Sequence, residues 1–363
     1  MKTLYSLWGF FAASAAVSVA WAHPGHGEAP TAEASSSDAF APVVLGSGDW
    51  TFETSLVGMT GPAGGTTLGQ PTHGGVAVAS DGTVYATLDG DEDGFIAFPP
   101  GESRGVTVGP GLANGHALVI REEEGGEFFY VPQPDVGRVV KATLAGEVVW
   151  TISTEDVLTA TADLGLYGEV EGRKRPVRFK PTAVAVTPAG EIFVADGYGA
   201  GVIHRFDAGR NYVATVGSVG KGVGQFRNPH GVTVDTRFDP PRLVVADREN
   251  RRLQAFDLEG EPLGVIATGL RRPCATAIGG DYMAVAELQG RVTVLGPDDA
   301  VICHLGDNPD ESQWAKFPVP PEAWSASYFT SPHGVCFDGD DILVATWNKS
   351  GRLTRLSRVP GEN

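Results

Sequence analysis

The segment Ala183-Val-Ala-Val-Thr-Pro-Ala-Gly-Glu-Ile-Phe-Val-Ala-Asp196 decides the architecture. An apolar run from Ala183 to Val186 meets a Thr-Pro-Ala-Gly turn, and Ile192 to Ala195 is apolar again. That is two short strands joined tightly. The phrase returns as Gly75-Val-Ala-Val-Ala-Ser-Asp-Gly-Thr-Val-Tyr-Ala86, and as Gly334-Val-Cys-Phe-Asp-Gly-Asp-Asp-Ile-Leu-Val-Ala345. Further copies start at Gly231-Val-Thr-Val-Asp235, Ala117-Leu-Val-Ile120 and Ala275-Thr-Ala-Ile278. The six starts are separated by 42, 66, 48, 44 and 59 residues. One such unit, a meander of short strands, cannot bury both of its faces alone. Repeated in a ring, the units cover one another, so the repeat predicts an all-β chain folded as a six-bladed β-propeller. A β-sandwich is the competing class, but it has no reason to repeat one phrase six times.

Composition agrees with this reading. The chain has 363 residues, 42% of them AVILMFWYC, enough for a large core. Its 49 Gly and 25 Pro are too many for a helical protein and suit many turns. The net charge of −17 excludes nucleic acid as a partner, because phosphate binding needs a basic face. Three cysteines cannot form a disulfide framework, so packing must hold the fold.

Residues 1–22 read as a signal peptide: Lys2, an apolar run from Leu4 to Ala20, and the small-x-small site Ala20-Trp21-Ala22. The expectation is an exported chain, secreted or periplasmic, with no membrane association after cleavage. Residues 23–45 read as a flexible tail rich in Ala, Pro, Ser and acid, leaving 46–363 for the propeller. His23 and His26 in the tail can chelate copper or zinc, but nothing preorganises them, and a solvated tail is the simpler reading.

The residue just before each start should head an innermost strand and face the central channel. Those six residues are Gly74, His116, Thr182, His230, Cys274 and His333. Histidine therefore falls in blades two, four and six, about 120° apart, where the imidazoles converge on the axis. Eight histidines scattered independently over 363 residues would fill an alternating triad with a chance on the order of 10⁻⁵, so coincidence is a poor account. Three convergent imidazoles with an open fourth position are a catalytic-zinc arrangement. No thiolate or carboxylate joins the set in the sequence, which favours zinc over copper or iron. Cys274 shares the ring on an odd blade and is expected to line the channel.

Pro181-Thr-Ala-Val-Ala-Val186, Ala195-Asp-Gly-Tyr198, Gly224-Gln-Phe226, Asn228-Pro-His-Gly-Val232 and Val245-Ala-Asp-Arg-Glu-Asn-Arg-Arg-Leu-Gln254 resemble the NHL-repeat propellers. More narrowly, they resemble peptidyl-α-hydroxyglycine α-amidating lyase, which cleaves a peptidyl-hydroxyglycine to a peptide amide and glyoxylate. The resemblance covers residues 70–359 and is strongest from Pro181 to Phe256. It implies zinc on His116, His230 and His333, Tyr198 as the base and Arg248 as an active-site arginine. It also has departures. The arginine expected in blade one is Leu88, the methionine before the last histidine is Ser331, and the aspartate after it, a calcium ligand, is Gly334. A cysteine pair is replaced by Val244 and Ala255.

Read as residues, Tyr198 follows Asp-Gly at a strand end, where a nearby cation would stabilise its phenolate; the bland reading is a tyrosine packed between blades. Arg248 holds the equivalent place one blade on, suited to a substrate carboxylate or to a structural pair with Asp247 or Glu249. Trp347 is the matching position in blade six and could wall the pocket or pack between blades. Asp89-Gly-Asp-Glu-Asp-Gly94 has the first half of a calcium loop, but its twelfth position is Pro100, so a solvated acidic turn is preferred and calcium is the minor alternative. The leading expectation is an exported zinc-dependent lyase acting on a small-molecule or peptide substrate at the channel mouth. The alternative is a non-catalytic NHL-type scaffold, with a structural metal and a protein partner.

Overall fold

The computed structural model describes residues 41–57, 68–90, 94–169, 172 and 177–359. The signal-peptide and tail readings over 1–40 lie outside them, as do Asp91, Glu92 and Asp93 of the acidic loop. No helix of the described residues is long and apolar enough to cross a membrane.

Six antiparallel sheets form the blades, each running outward from an innermost strand. The innermost strands are Val76–Val78, Val119–Glu123, Ala183–Val186, Pro229–Asp235, Pro273–Gly279 and Pro332–Asp338. They neighbour one another in chain order, and the last packs against the first, closing the ring. Blade six is completed from the other end of the chain. Trp50–Leu56 pairs antiparallel with Arg352–Val359, and Val44–Ser47 adds a further strand outside it. The repeat does not reveal this clasp, because the donated strand carries no copy of the phrase. It also moves the start of the blades two residues ahead of residue 46.

Period-two alternation explains why both faces of every blade are apolar. Val245 packs with Phe193 and Phe256 in the core between blades three and four, while its neighbour Val244 packs with Met283 and Val285 between blades four and five. Leu343 and Val344 divide in the same way between the blade-six/blade-one and blade-five/blade-six cores. Six such clusters, one per blade interface, hold the ring without a disulfide, and all three cysteines are free. Val244 and Ala255 stand directly opposite each other on adjacent strands, the register a cysteine pair would need.

The two long repeat steps are insertions at the channel mouth. After blade two comes helix Thr154–Ala160, whose capping box joins Ser153 and Asp156. Before blade six, residues 306–331 form a loop pinned by Arg352. That fully buried guanidinium donates to the carbonyls of Ser325 and Tyr328 and lies 5.3 Å from the Phe329 ring centre.

Close approach at the axis fixes one glycine. A Cβ on Gly334 would lie 1.7 Å from the Gly74 carbonyl oxygen, across the ring closure. Gly334→Ala should therefore force the first and last blades apart and cost about 3 kcal/mol or more. Urea denaturation with an unchanged midpoint would show that the closure yields freely. The same contact leaves no room for an aspartate, so this position cannot supply a calcium ligand.

Candidate metal centre and active site

In three of the six blades the heading residue is aimed at the axis by a backbone irregularity. In blades four, five and six the strand register slips between Pro229 and Gly231, Pro273 and Ala275, and Pro332 and Gly334. The extra residue in each bulge is His230, Cys274 or His333, and a bulge re-aims its side chain out of the alternating pattern. The intervening blades then orient the rings. His116 Nδ1 is 2.7 Å from the carbonyl oxygen of Thr182, and His230 Nδ1 is 2.9 Å from that of Cys274. A carbonyl only accepts, so both Nδ1 atoms carry the proton and both Nε2 lone pairs face inward.

The three ring centres form a nearly equilateral triangle. His116–His230 is 4.7 Å, His230–His333 is 4.8 Å and His116–His333 is 4.9 Å. All three side chains are buried, at 1%, 1% and 5% exposure. Burial first, and mutual repulsion with neighbouring cations or imidazoles second, push all three far below the usual histidine range. They are neutral at pH 7, the form that binds a metal.

Tyr198 reaches into this triangle. Its Oη is 3.1 Å from Nε2 of His116 and 3.1 Å from Nε2 of His230. One hydroxyl proton cannot satisfy two lone pairs, so this donor set is matched better by a cation than by the phenol alone. The residues present fit a metal ion. Arg248 Nη1 donates to Tyr198 Oη at 3.3 Å, and its Nε donates to Glu249 at 3.0 Å. Both readings of Arg248 therefore hold at once: it is paired with Glu249 and it faces the centre. Burial raises the Tyr198 phenol above its ordinary value, against the lowering effect of Arg248. Burial would depress the Arg248 guanidinium, but Tyr198, Cys274 and Glu249 outweigh it and keep the cation.

The motifs around these two residues are turn-builders. Asp196 accepts from the backbone of Lys180 and Ala200 and from the Tyr167 hydroxyl, fixing the turn that presents Tyr198. Asp247 does the same for Arg248, accepting from the backbone of Arg227 and the side chains of Asn250 and Arg252. Trp347 stacks near Phe317 at 5.0 Å and lies 6.2 Å from His73, so it walls the mouth. Behind the ring the channel narrows to a cavity of about 80 Å³ between the inner strands, lined by apolar residues such as Val76, Val184 and Val335. That is room for water, not for a peptide.

The sequence reading missed one member of the cluster. His73 stands 4.5 Å from His116 and 5.1 Å from His333, ring centre to ring centre. It sits one residue ahead of the heading position Gly74. Among the described residues, two donor groups have all ligating atoms within 4.8 Å of one another, His73 with His116 and His333 and His230 with Cys274 and His333, and neither holds His116, His230 and His333 together. Cys274 lines the channel, as the sequence led one to expect. It adjoins the cluster, its thiol pushed up to about 11 by burial, and Asp89 stands behind His73 at 3.5 Å. Leu88 is 1% exposed, so an arginine there would be buried.

No family model matches the chain. A Caenorhabditis elegans protein named probable peptidyl-alpha-hydroxyglycine alpha-amidating lyase is 39% identical over 186 residues, 49% of each chain. Mouse (Mus musculus) NHL repeat-containing protein 3 is 33% identical over 142 residues, 36% of this chain and 40% of that protein. The chain thus spans about half the length of the first of these relatives, and less of the second. Virginiamycin B lyase from Staphylococcus aureus superposes with a TM-score of 0.53 over 84% of this chain and 98% of its own, at 13% identity, a likeness of fold alone. The chain is a six-bladed propeller related in sequence to the amidating lyases and to NHL-repeat proteins.

Proposed function

We propose that the protein is a metal-dependent carbon–nitrogen lyase acting on an α-hydroxyglycine-type substrate, with zinc held by His116, His230 and His333. The observation that carries this reading is the convergence of two inward Nε2 lone pairs and the Arg248 guanidinium on the Tyr198 hydroxyl. When bound, the ion supplies Lewis-acid polarisation of a substrate oxygen. The remaining chemistry is proton transfer and positioning. Tyr198 takes the proton from the substrate hydroxyl as the C–N bond breaks. The hydroxyl-bearing carbon becomes the aldehyde of glyoxylate, and the proton returns to the departing amide nitrogen, so the reaction needs no outside oxidant or water. Arg248 favours the phenolate by its charge and offers a fork to the substrate carboxylate.

The test is elemental analysis of the purified protein followed by an assay of glyoxylate release from an α-hydroxyglycine peptide. About one zinc per chain and time-dependent glyoxylate support the reading, and metal without turnover would leave the scaffold alternative. That alternative draws on Leu88, whose neutral side chain stands where the lyases have an arginine. Tyr198→Phe should keep fold and ion but lower turnover by about 10²–10⁴. An unchanged rate would return Tyr198 to packing. The apparent signal at the amino terminus motivates a second proposal, export from the cytoplasm, read by whether the mature chain begins at His23.

A further inference from the structure

Blade one has no side chain at its heading position, yet it contributes an imidazole. Gly74 adopts φ +107°, and a Cβ there would lie 2.8 Å from the His333 Cβ. Glycine at this point lets the chain fold tightly over the ring and brings His73, one residue earlier, above the gap. The bend is fixed by the backbone. Gly74 N–H donates to the Thr72 hydroxyl at 3.0 Å, Thr72 bridges to Asn348, and Asp89 N–H donates to the Pro71 carbonyl at 2.9 Å. His73 is 8% exposed, and its ligating atom lies within 4.8 Å of those of His116 and His333. Its Nδ1 faces Asp89 Oδ2 at 3.5 Å, and the other carboxylate oxygen of Asp89 is buried with no hydrogen-bond partner among the described residues. A carboxylate behind an imidazole orients the ring and fixes its tautomer, an arrangement typical of metal-bound histidine.

We propose that His73 is a fourth imidazole ligand of the channel ion, held through Nδ1 by Asp89 and binding through Nε2. This rests on the metal reading of the preceding subsection and deepens it. A three-histidine site leaves the fourth position to water or substrate, whereas four imidazoles fill the tetrahedron. A substrate oxygen would then have to compete with His73 for the ion. Asp89 acts as a positioning residue, and blade one takes part in the centre through its chain bend.

The experiment counts ligands and measures affinity on the full-length protein, with no reference to turnover. X-ray absorption of the zinc-loaded wild type should fit four imidazoles. His73→Ala should fit three and bind zinc at least about 100-fold more weakly in chelator competition, and Asp89→Asn should weaken it by about 10–100-fold. His73→Gln is a second variant that keeps the bulk of the side chain, and the wild-type count needs no variant at all. Three imidazoles in the wild type with unchanged affinity in His73→Gln would overturn this proposal and leave the three-histidine centre standing. A wild type that holds no zinc or other divalent ion would overturn both.

Discussion

On the proposed zinc-lyase reading, replacing His230 with alanine is expected to empty the channel of zinc and abolish turnover, while leaving a folded propeller. His230 Nε2 is one of the two lone pairs that converge on Tyr198, and its Nδ1 is tied to the Cys274 carbonyl. Losing one ligand from a centre of this kind removes both a coordinate bond and the preorganisation that made the others effective. Zinc content should fall from about one per chain to under about a tenth, and turnover by about 10³ or more, since the polarising cation and the phenolate's partner go together. The fold should survive. The deleted ring leaves one buried carbonyl without its donor, a cost of about 1–3 kcal/mol, against cores at all six blade interfaces that do not touch it. His116→Ala and His333→Ala should behave alike, since the three rings are related by the ring of blades. Full zinc occupancy in the His230→Ala, His116→Ala and His333→Ala proteins would show that the ion, if any, sits elsewhere. Circular dichroism must accompany the analysis, because an unfolded variant would lose zinc for a different reason.

The legibility of this protein in its sequence follows from which interactions repeat. The apolar phrase beginning at Ala183 recurs because every blade meets the same two neighbours, so the period exposes the fold. The heading residues recur for a related reason: a bulge at His230, Cys274 and His333 does the same geometric work in three blades. Where a contact is made once, the pattern is silent. The strand Trp50–Leu56 closes blade six with a segment that has no counterpart elsewhere. His73 reaches the centre through a bend that only Gly74 allows, one residue out of phase with the other blades. Thr72-His73-Gly74-Gly75 does hold the signal, a histidine followed by two glycines beside an expected heading position, but it becomes readable only once the backbone of the neighbouring blade is known to crowd that point. Tyr198 and Arg248 are reached through the family resemblance, whose motifs include the aspartates that shape their turns. Their common meeting point over His116 and His230 depends on the angle between blades, which no single blade encodes.

The metal-free protein should lose stability steeply as the pH falls below about 6.5. His116, His230 and His333 are held far below the ordinary histidine range, by burial above all and by neighbouring positive or imidazole groups after it. In the unfolded chain each returns to about 6.5. Above that value neither state binds the protons, and the contribution to stability is fully present. Below it the unfolded chain takes up three protons that the folded chain refuses, and stability falls with pH wherever the unfolded state binds more protons. Three groups at about 1.4 kcal/mol per pH unit each give a limiting slope of about 4 kcal/mol per unit. A domain with about 5–15 kcal/mol in hand would then approach unfolding within about one to four units. The carboxylates do not mimic this. Asp235 and Glu249 are lowered, each chiefly by arginine pairing against the cost of burial, so their contribution is lost only at more acidic pH, below the ordinary carboxylate range. Urea unfolding at closely spaced pH values from 8 to 5, with chelator present, separates the two. The triple variant His116→Gln, His230→Gln, His333→Gln should flatten the slope between pH 6.5 and 5 even if its overall stability is lower. Zinc should steepen acid sensitivity in the same window, since the neutral imidazoles it needs are those the unfolded chain protonates, and its apparent affinity should fall as their proton load rises. A wild-type curve already flat from pH 7 to 5 without metal would mean that the imidazoles accept protons inside the folded channel, and that water reaches them far more freely than their burial implies.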